Sequence, residues 1–228
     1  MTKLKIKNIF SLLASFLLTI LITSPVSAEM SNTTLDELYA NGVYYYNPEG
    51  TINSCVTGSV NLAGATYEEW VWSGLISLGF TETQAAGIMG NMDHESNYLN
   101  PVQHEAQFQS RGWDTAYNDT SISYGVGLIQ WSWGRRVEFL HSINDNYPNL
   151  IQYFKDIETY SKGYTISGQK FVELVGENIA KQIYAAELDF LKDESENSEK
   201  SSYEKFRNES STPEEAAKSY RKYVERGG

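Results

Sequence analysis

The sequence predicts a mainly α domain that carries one short strand-like insert. Three observations carry this prediction. Helix-start signals recur: Thr66 with Glu69, Thr81 with Gln84, and Thr212 followed by Pro213, Glu214 and Glu215. Each sets a side-chain acceptor at an N-cap and a Glu or Gln three positions on. Between these signals, apolar residues return at the three- and four-residue spacing of a helix with one buried face. Only one glycine-opened apolar run, residues 124–131, has strand character.

Taken in order, the elements begin with a segment outside the domain. Lys3, Lys5 and Lys7 precede an apolar stretch over 9–22, and Val26-Ser27-Ala28 supplies small residues before Glu29. Residues 1–28 read as a secretory signal peptide cleaved before Glu29, with a retained anchor as the alternative. No other stretch is long and apolar enough to span a bilayer. Residues 29–63 are polar and rich in Gly, Asn, Thr and Ser, and read as an irregular leader. The Tyr44-Tyr45-Tyr46 cluster within it packs on the domain or on sugar.

The domain is assigned to 64–228. Its first helix follows Thr66, turns Trp70, Val71, Gly74, Leu75 and Leu78 inward, and stops at Gly79. A second helix is read over 83–99. Residues 97–123 are polar and read as a loop roofing a cleft. After 124–131, helices resume at Gly134-Arg135-Arg136 with Val137 and Leu140 inward. One more carries Ile151, Phe154 and Ile157, and a longer one covers 171–191. The acidic, serine-rich stretch 193–202 reads as a solvated loop. The last helix, opened by Thr212, turns Ala216, Ala217, Tyr220 and Val224 inward. No internal repeat is found.

Composition narrows the function. The 228 residues carry a net charge of −11, and removing the three lysines of 1–28, which holds no acid, deepens it to −14. Such a chain has no electrostatic attraction for nucleic acid or an anionic membrane, so an anionic polymer must be held by a shaped cleft. The single cysteine, Cys55, excludes an internal disulfide. The fold must rest on its core, which an aromatic content of 13% supports. The expected state is a secreted monomer without cofactor or metal.

One residue stands out chemically. On a helix over 83–99, Ile88, Met92, Glu95 and Leu99 share one stripe, which places Glu95 on the apolar face. It also lies near the helix C-terminus, where the macrodipole disfavours negative charge. Burial and dipole both favour a protonated carboxyl, the form a general acid needs. In the run 124–131, Gly125 and Gly127 let a backbone approach a ligand, and Gln130 offers a donor and an acceptor. Trp131, with Trp133 beyond it, offers flat faces for sugar rings. A tight hairpin with a core tryptophan is the alternative reading of the same run. His94, Glu95, His104 and Glu105 fail the helical zinc pattern, because Tyr98 stands where the second His belongs. Cys55 sits in leader-like sequence, which disfavours a cysteine amidase. Asp114 and Asp119 are the nearest candidates for a second carboxylate.

Residues 84–96, Gln-Ala-Ala-Gly-Ile-Met-Gly-Asn-Met-Asp-His-Glu-Ser, resemble the catalytic helix of the phage tail lysozyme family, of the type A-A-G-x-x-G-N-x-x-x-E-S. Residues 124–131, followed by Gly134-Arg135-Arg136, resemble its G-x-G-x-x-Q-W segment and the G-R after it. Residues 186–191 and 212–225 resemble its closing helices, so the likeness spans roughly 67–226. The insert from His104 to Thr120 is longer and more polar than the family pattern. The resemblance implies a lysozyme-like α-helical domain with a small β-hairpin-like insert lining the cleft. It also implies cleavage of the β-1,4 bond between N-acetylmuramic acid and N-acetylglucosamine in peptidoglycan, by hydrolysis or lytic transglycosylation; a wall-binding module that keeps the cleft without turnover is the alternative, which the intact Glu95 disfavours. Glu95 takes the general-acid role, while Ser96, Tyr124, Gly127, Gln130 and Trp131 take the substrate-binding positions.

Overall fold

Capping chemistry places the helices where the sequence predicts them to begin. In the computed structural model, which describes residues 60–105 and 111–225, α1 spans Tyr67–Ser77 and α2 spans Glu82–Glu95. Both open with complete capping boxes, Thr66 with Glu69 and Thr81 with Gln84. The predicted signal segment, the leader up to residue 59 and Cys55 lie outside the described residues. The leader's last four residues dock on α1: the Asn61 and Ala63 N–H groups donate to the Ser77 and Ser73 hydroxyls at 3.1 and 2.7 Å.

The remaining helices are α3 (Trp113–Asn118), α4 (Trp133–Asn146), α5 (Ile151–Lys155), α6 (Ile157–Tyr160), α7 (Gly168–Val175), α8 (Glu177–Glu196), α9 (Lys200–Asn208) and α10 (Pro213–Tyr220). A π-helical turn, Arg221–Glu225, extends α10. Among the described residues no helix is long and apolar enough to cross a membrane.

Several elements differ from expectation, each for a local reason. The helix read over 83–99 ends at Glu95, so Leu99 is buried from the turn that follows and not from the helix stripe. The long helix over 171–191 is two helices, broken at Gly176, whose φ of 82° is open to glycine. The helix through Ile151 and Ile157 breaks at Asp156, whose carboxylate accepts from the Thr159 N–H and caps α6. The loop 97–123 contains α3. The stretch 193–202 is not a solvated loop: α8 continues to Glu196, with Glu194 buried in its last turn, and α9 begins at Lys200. The β-hairpin-like insert is absent as such. Among the described residues there is no strand, and Val126 instead makes isolated antiparallel bridges to His104 and to Trp131.

One hydrophobic core joins all these helices. Trp70, Phe139, Phe154, Phe171, Tyr184 and Phe206 are among its largest buried side chains. The closing helix α10 lies directly on α2: a Cβ on Gly87 would come within 2.5 Å of the Ala216 Cβ, so only glycine permits this approach. The Asn91 amide, one turn further, donates to the Ala217 carbonyl at 3.0 Å.

The polar tie across this core is Glu194. Its carboxylate is gripped by both Arg135 Nε at 2.7 Å and Arg135 Nη2 at 2.9 Å, and accepts from the Trp131 indole N–H at 2.9 Å. Arg135 Nη1 donates to the Val224 carbonyl at 2.8 Å. Burial opposes the Arg135 charge, yet the Glu194 carboxylate overrides that and holds the guanidinium pKa above its ordinary value. Removing one partner of a buried pair leaves the other charge uncompensated, at a cost of about 3–5 kcal/mol. Glu194→Ala is therefore expected to lower stability by that amount, read as a reduced urea midpoint at unchanged slope.

Candidate active site

Glu95 is the last residue of α2 and is half-buried rather than fully enclosed. Ser96 caps the helix, its N–H and its hydroxyl both donating to the Met92 carbonyl, at 3.0 and 2.5 Å. The chain then makes a left-handed turn, with Asn97, Tyr98 and Leu99 at φ of 53°, 58° and 60°. Left-handed backbone costs roughly 1–2 kcal/mol per non-glycine residue, so this turn exists only because its surroundings impose it. The buttresses are explicit. The Asn97 amide donates to the Tyr164 and Ile166 carbonyls, and the buried Asn100 amide donates to those of Tyr160 and Ile166, both at 2.8 Å. The Gly168 N–H and the Tyr184 hydroxyl hold the Tyr98 and Leu99 carbonyls at 2.9 and 2.8 Å. The turn leaves Tyr98 62% exposed three residues from Glu95.

Facing this turn is the segment 103–105 paired with 124–131. The Glu105 N–H donates to the Gly125 carbonyl at 2.9 Å, and the Gly125 N–H donates back to the Glu105 carboxylate at 3.2 Å. Burial raises the Tyr164 hydroxyl pKa to about 12, and the charges of Glu105 and then Glu95 add to it. Tyr164 thus stands close to both carboxylates, one from the end of α2 and one from the facing segment. Glu225, at the end of the π-helical turn, is a third acid near Glu95. Burial first and the Glu95 charge second push its pKa up to about 8, with Arg221 and Arg135 opposing.

The residues of 124–131 build the wall from behind. Gly127 adopts φ 85°, and a Cβ there would meet both Glu187 and Trp131 within 3 Å. The Glu187 carboxyl, fully buried in α8, accepts from the Leu128 N–H at 2.7 Å. Burial raises its pKa well above its ordinary value, against that hydrogen bond, which favours the neutral carboxyl. The Gln130 amide donates to the Gln103 and Gly127 carbonyls at 3.1 and 2.9 Å and covers Gly125.

These contacts revise the expected binding residues. Trp131 is 1% exposed, with its indole stacked on Phe139 at 4.2 Å, so it is core and has no free face for a sugar. Tyr124 is wholly buried; its hydroxyl donates to His104 Nδ1, while His104 Nε2–H donates to the Phe154 carbonyl at 2.9 Å. Burial drives the His104 pKa down to about 3 against the Phe154 bond, so this ring is a neutral structural link and not a metal ligand. Ser96 and Gly127 are likewise buried, and of the predicted set only Glu95 and Gln130 keep partial exposure. Trp133 is 53% exposed, at φ 55°.

The two aspartates considered as second carboxylates have other duties. Asp119 is exposed and accepts from the Ser121 N–H and hydroxyl at 2.9 and 2.6 Å, bonds that hold its pKa below the ordinary value. Asp114 lies in the first turn of α3. Glu105 and Glu225 were not singled out as reacting groups by sequence. Glu105 entered only through the failed zinc pattern, and Glu225 follows the inward-facing Val224 with no motif of its own. Arg136, from the Gly-Arg-Arg segment, is fully buried and donates to the carbonyls of Ala116, Asp119, Ile122 and Tyr124, thereby shaping the loop before the glycine run. A hollow of about 480 Å³ beside Asn208, Ser211 and Glu215 involves none of these groups.

A half-exposed helix-end carboxylate, Glu95, and a second carboxylate, Glu105, both act on Tyr164, and Glu105 is paired with the glycine run 124–131. The chain belongs to the phage tail lysozyme family, whose model matches residues 66–228. Membership supports a lysozyme-like, cell-wall-lytic enzyme whose substrate is peptidoglycan. Comparison with curated proteins and with solved structures returns no match.

Two outcomes test the wall. Trp131→Ala should destabilise the fold by about 3–5 kcal/mol, as core aromatic truncations do, measured by denaturant unfolding. Glu187 has a folded pKa above its unfolded one, so its contribution to stability is complete below the unfolded carboxyl value. That contribution is lost as pH rises toward the folded value. Glu187→Gln keeps the neutral shape and should flatten the fall of stability as pH rises above the ordinary carboxyl range, measured by melting at a series of pH values.

Proposed function

We propose that this chain is a secreted muramidase that hydrolyses the β-1,4 bond between N-acetylmuramic acid and N-acetylglucosamine, with Glu95 as general acid. The observation that carries the reading is the placement of Glu95. It closes the family's catalytic helix, and a strained turn buttressed by Asn97, Asn100 and Tyr184 holds the chain beyond it. Strain maintained at such cost is characteristic of functional sites. Glu95 protonates the glycosidic oxygen as the bond to the anomeric carbon breaks and positive charge develops on the sugar ring.

Glu105 is the second carboxylate of the proposal. It approaches Tyr164 from the facing segment, and its backbone and carboxylate are both anchored to Gly125. A carboxylate there directs a water at the anomeric carbon, which favours hydrolysis over closure by the muramic 6-hydroxyl. The sugar-stacking faces are assigned to the exposed rings of Tyr98 and Trp133 in place of Trp131. The basic and apolar pattern of residues 1–28 supports export to the wall.

Glu95→Gln is expected to keep the wild-type melting temperature and lose wall-lysing turnover by on the order of 10²–10⁴-fold, the usual worth of a general acid. Turbidity clearing of purified cell walls reads the rate. A folded Glu95→Gln variant with more than about half of wild-type turnover would remove Glu95 from the mechanism. In the same assay Glu105→Gln should lower kcat at least tenfold, roughly 1.4 kcal/mol in barrier height, with KM little changed.

A further inference from the structure

The proposed reaction leaves the half-buried acid Glu225 unused. Glu225 ends the π-helical turn, and its Oε1 is shielded from solvent without a hydrogen-bond partner among the described residues. A buried unsatisfied oxygen is rare enough in folded proteins to require a reason. Here the reason lies in what the turn is packed against. Helix α10 follows α2, from the close approach of Gly87 and Ala216 to the Asn91 amide on the Ala217 carbonyl. The π-helical turn continues α10 in register with α2, which brings its last residue within electrostatic reach of the last residue of α2. Arg135 pins the turn through the Val224 carbonyl.

The charged and titratable groups facing Glu225 are few. Glu95 faces it from α2, Arg135 from α4, Arg221 from its own turn and Tyr220 from α10. Arg135 is engaged by both oxygens of Glu194, and among the described residues neither Arg135 nor Arg221 makes an ion pair with Glu225. Glu95 in turn acts on Tyr164, which also feels Glu105.

We propose that Glu225 is a positioning residue that acts through Glu95, as a proton-holding partner that keeps one proton on the pair while the enzyme works near neutral pH. The proposal rests on Glu95 being the general acid. With its pKa pushed up to about 8, Glu225 is protonated at pH 7. Two neighbouring carboxyls lose their protons in two separated steps, so the pair keeps its last proton to higher pH than Glu95 would alone. At pH 7 the pair's one proton leaves a Glu225 oxygen for Glu95, which forms the acid and leaves Glu225 ionised. When the Glu95 O–H bond then breaks and its proton goes to the leaving oxygen, both groups are left as carboxylates. The proton that the attacking water gives up returns to Glu225 through solvent, which balances the cycle.

The test is the pH dependence of kcat/KM on soluble peptidoglycan fragments for the wild type, Glu225→Gln and Glu225→Asp, with Glu95→Gln as reference. For Glu225→Gln the acid-side plateau is expected to stay within about twofold of wild type, while the alkaline limb moves about one pH unit down, roughly tenfold in rate at pH 8. Glu225→Asp, which restores a carboxyl, should recover part of the limb. A purely structural Glu225 would lower melting without moving the limb. Limbs that superimpose, with Glu95→Gln inactive, overturn the proposal alone, whereas an active Glu95→Gln overturns the general-acid reading beneath it. A second measurement needs no variant at position 225. The Glu225 carboxyl ¹³C resonance should titrate near 8 in the wild type and at lower pH in Glu95→Gln, where the neighbouring charge is gone. An unchanged midpoint contradicts the coupling.

Discussion

The Glu194 carboxylate is the contact on which the rest of the structure depends. It takes two hydrogen bonds from Arg135 and one from the Trp131 indole, and Arg135 passes the grip on to the Val224 carbonyl. Four parts of the chain meet there: α8, the start of α4, the end of the glycine run and the π-helical turn after α10. A buried pair of this kind costs desolvation of both charges, and replacement by apolar side chains is often no less stable. Its value here is positional. Trp131 anchors the wall that faces Glu95, and Val224 precedes Glu225, so one buried anion registers two sides of the site.

The second constraint is the left-handed turn that ends α2. Helices usually stop with one left-handed residue, most often glycine. This one stops with three that are not glycine, and two buried or half-buried asparagines, a tyrosine hydroxyl and the Gly168 N–H satisfy the carbonyls that the turn exposes and receives. The chain beyond Glu95 is thereby tied to the segment around Tyr164, which is how a residue 69 positions after Glu95 comes to share its electrostatics. Stability is spent in the turn and recovered in the core behind it, where the aromatic rings of α4, α7, α8 and α9 pack.

Much of this was legible in the sequence, and the pattern of what was not is informative. Thr66, Thr81 and Thr212 marked their helices because an N-cap is a local interaction between residues three apart. Glu95 was legible because a motif and a helical position coincide there. The burial of Trp131 and Tyr124 was not legible: a tryptophan after Gly and Gln reads equally as a platform or a plug, and Phe139 together with the distant Phe190 and Glu194 decides for the plug. The acidic stretch 193–202 misled for the same reason, since the partner that makes Glu194 a core residue lies 59 positions upstream. The extent of α2 was overread because its apolar stripe continues to Leu99 through a turn whose handedness depends on tertiary hydrogen bonds. Glu105, Tyr164 and Glu225 carry no local signal at all, since what distinguishes them is proximity to Glu95.

Together these elements support the proposed reaction, in which the helix-end acid Glu95 and the carboxylate of Glu105 cut the glycan backbone by adding water. The most direct measurement is mass spectrometry of the products released from purified, peptide-bearing peptidoglycan. Fragments ending in reducing N-acetylmuramic acid, with stem peptides intact, are the predicted result. Fragments ending in 1,6-anhydro-N-acetylmuramic acid would contradict the water-directing role of Glu105, and cleaved stem peptides on intact glycan strands would contradict the account as a whole.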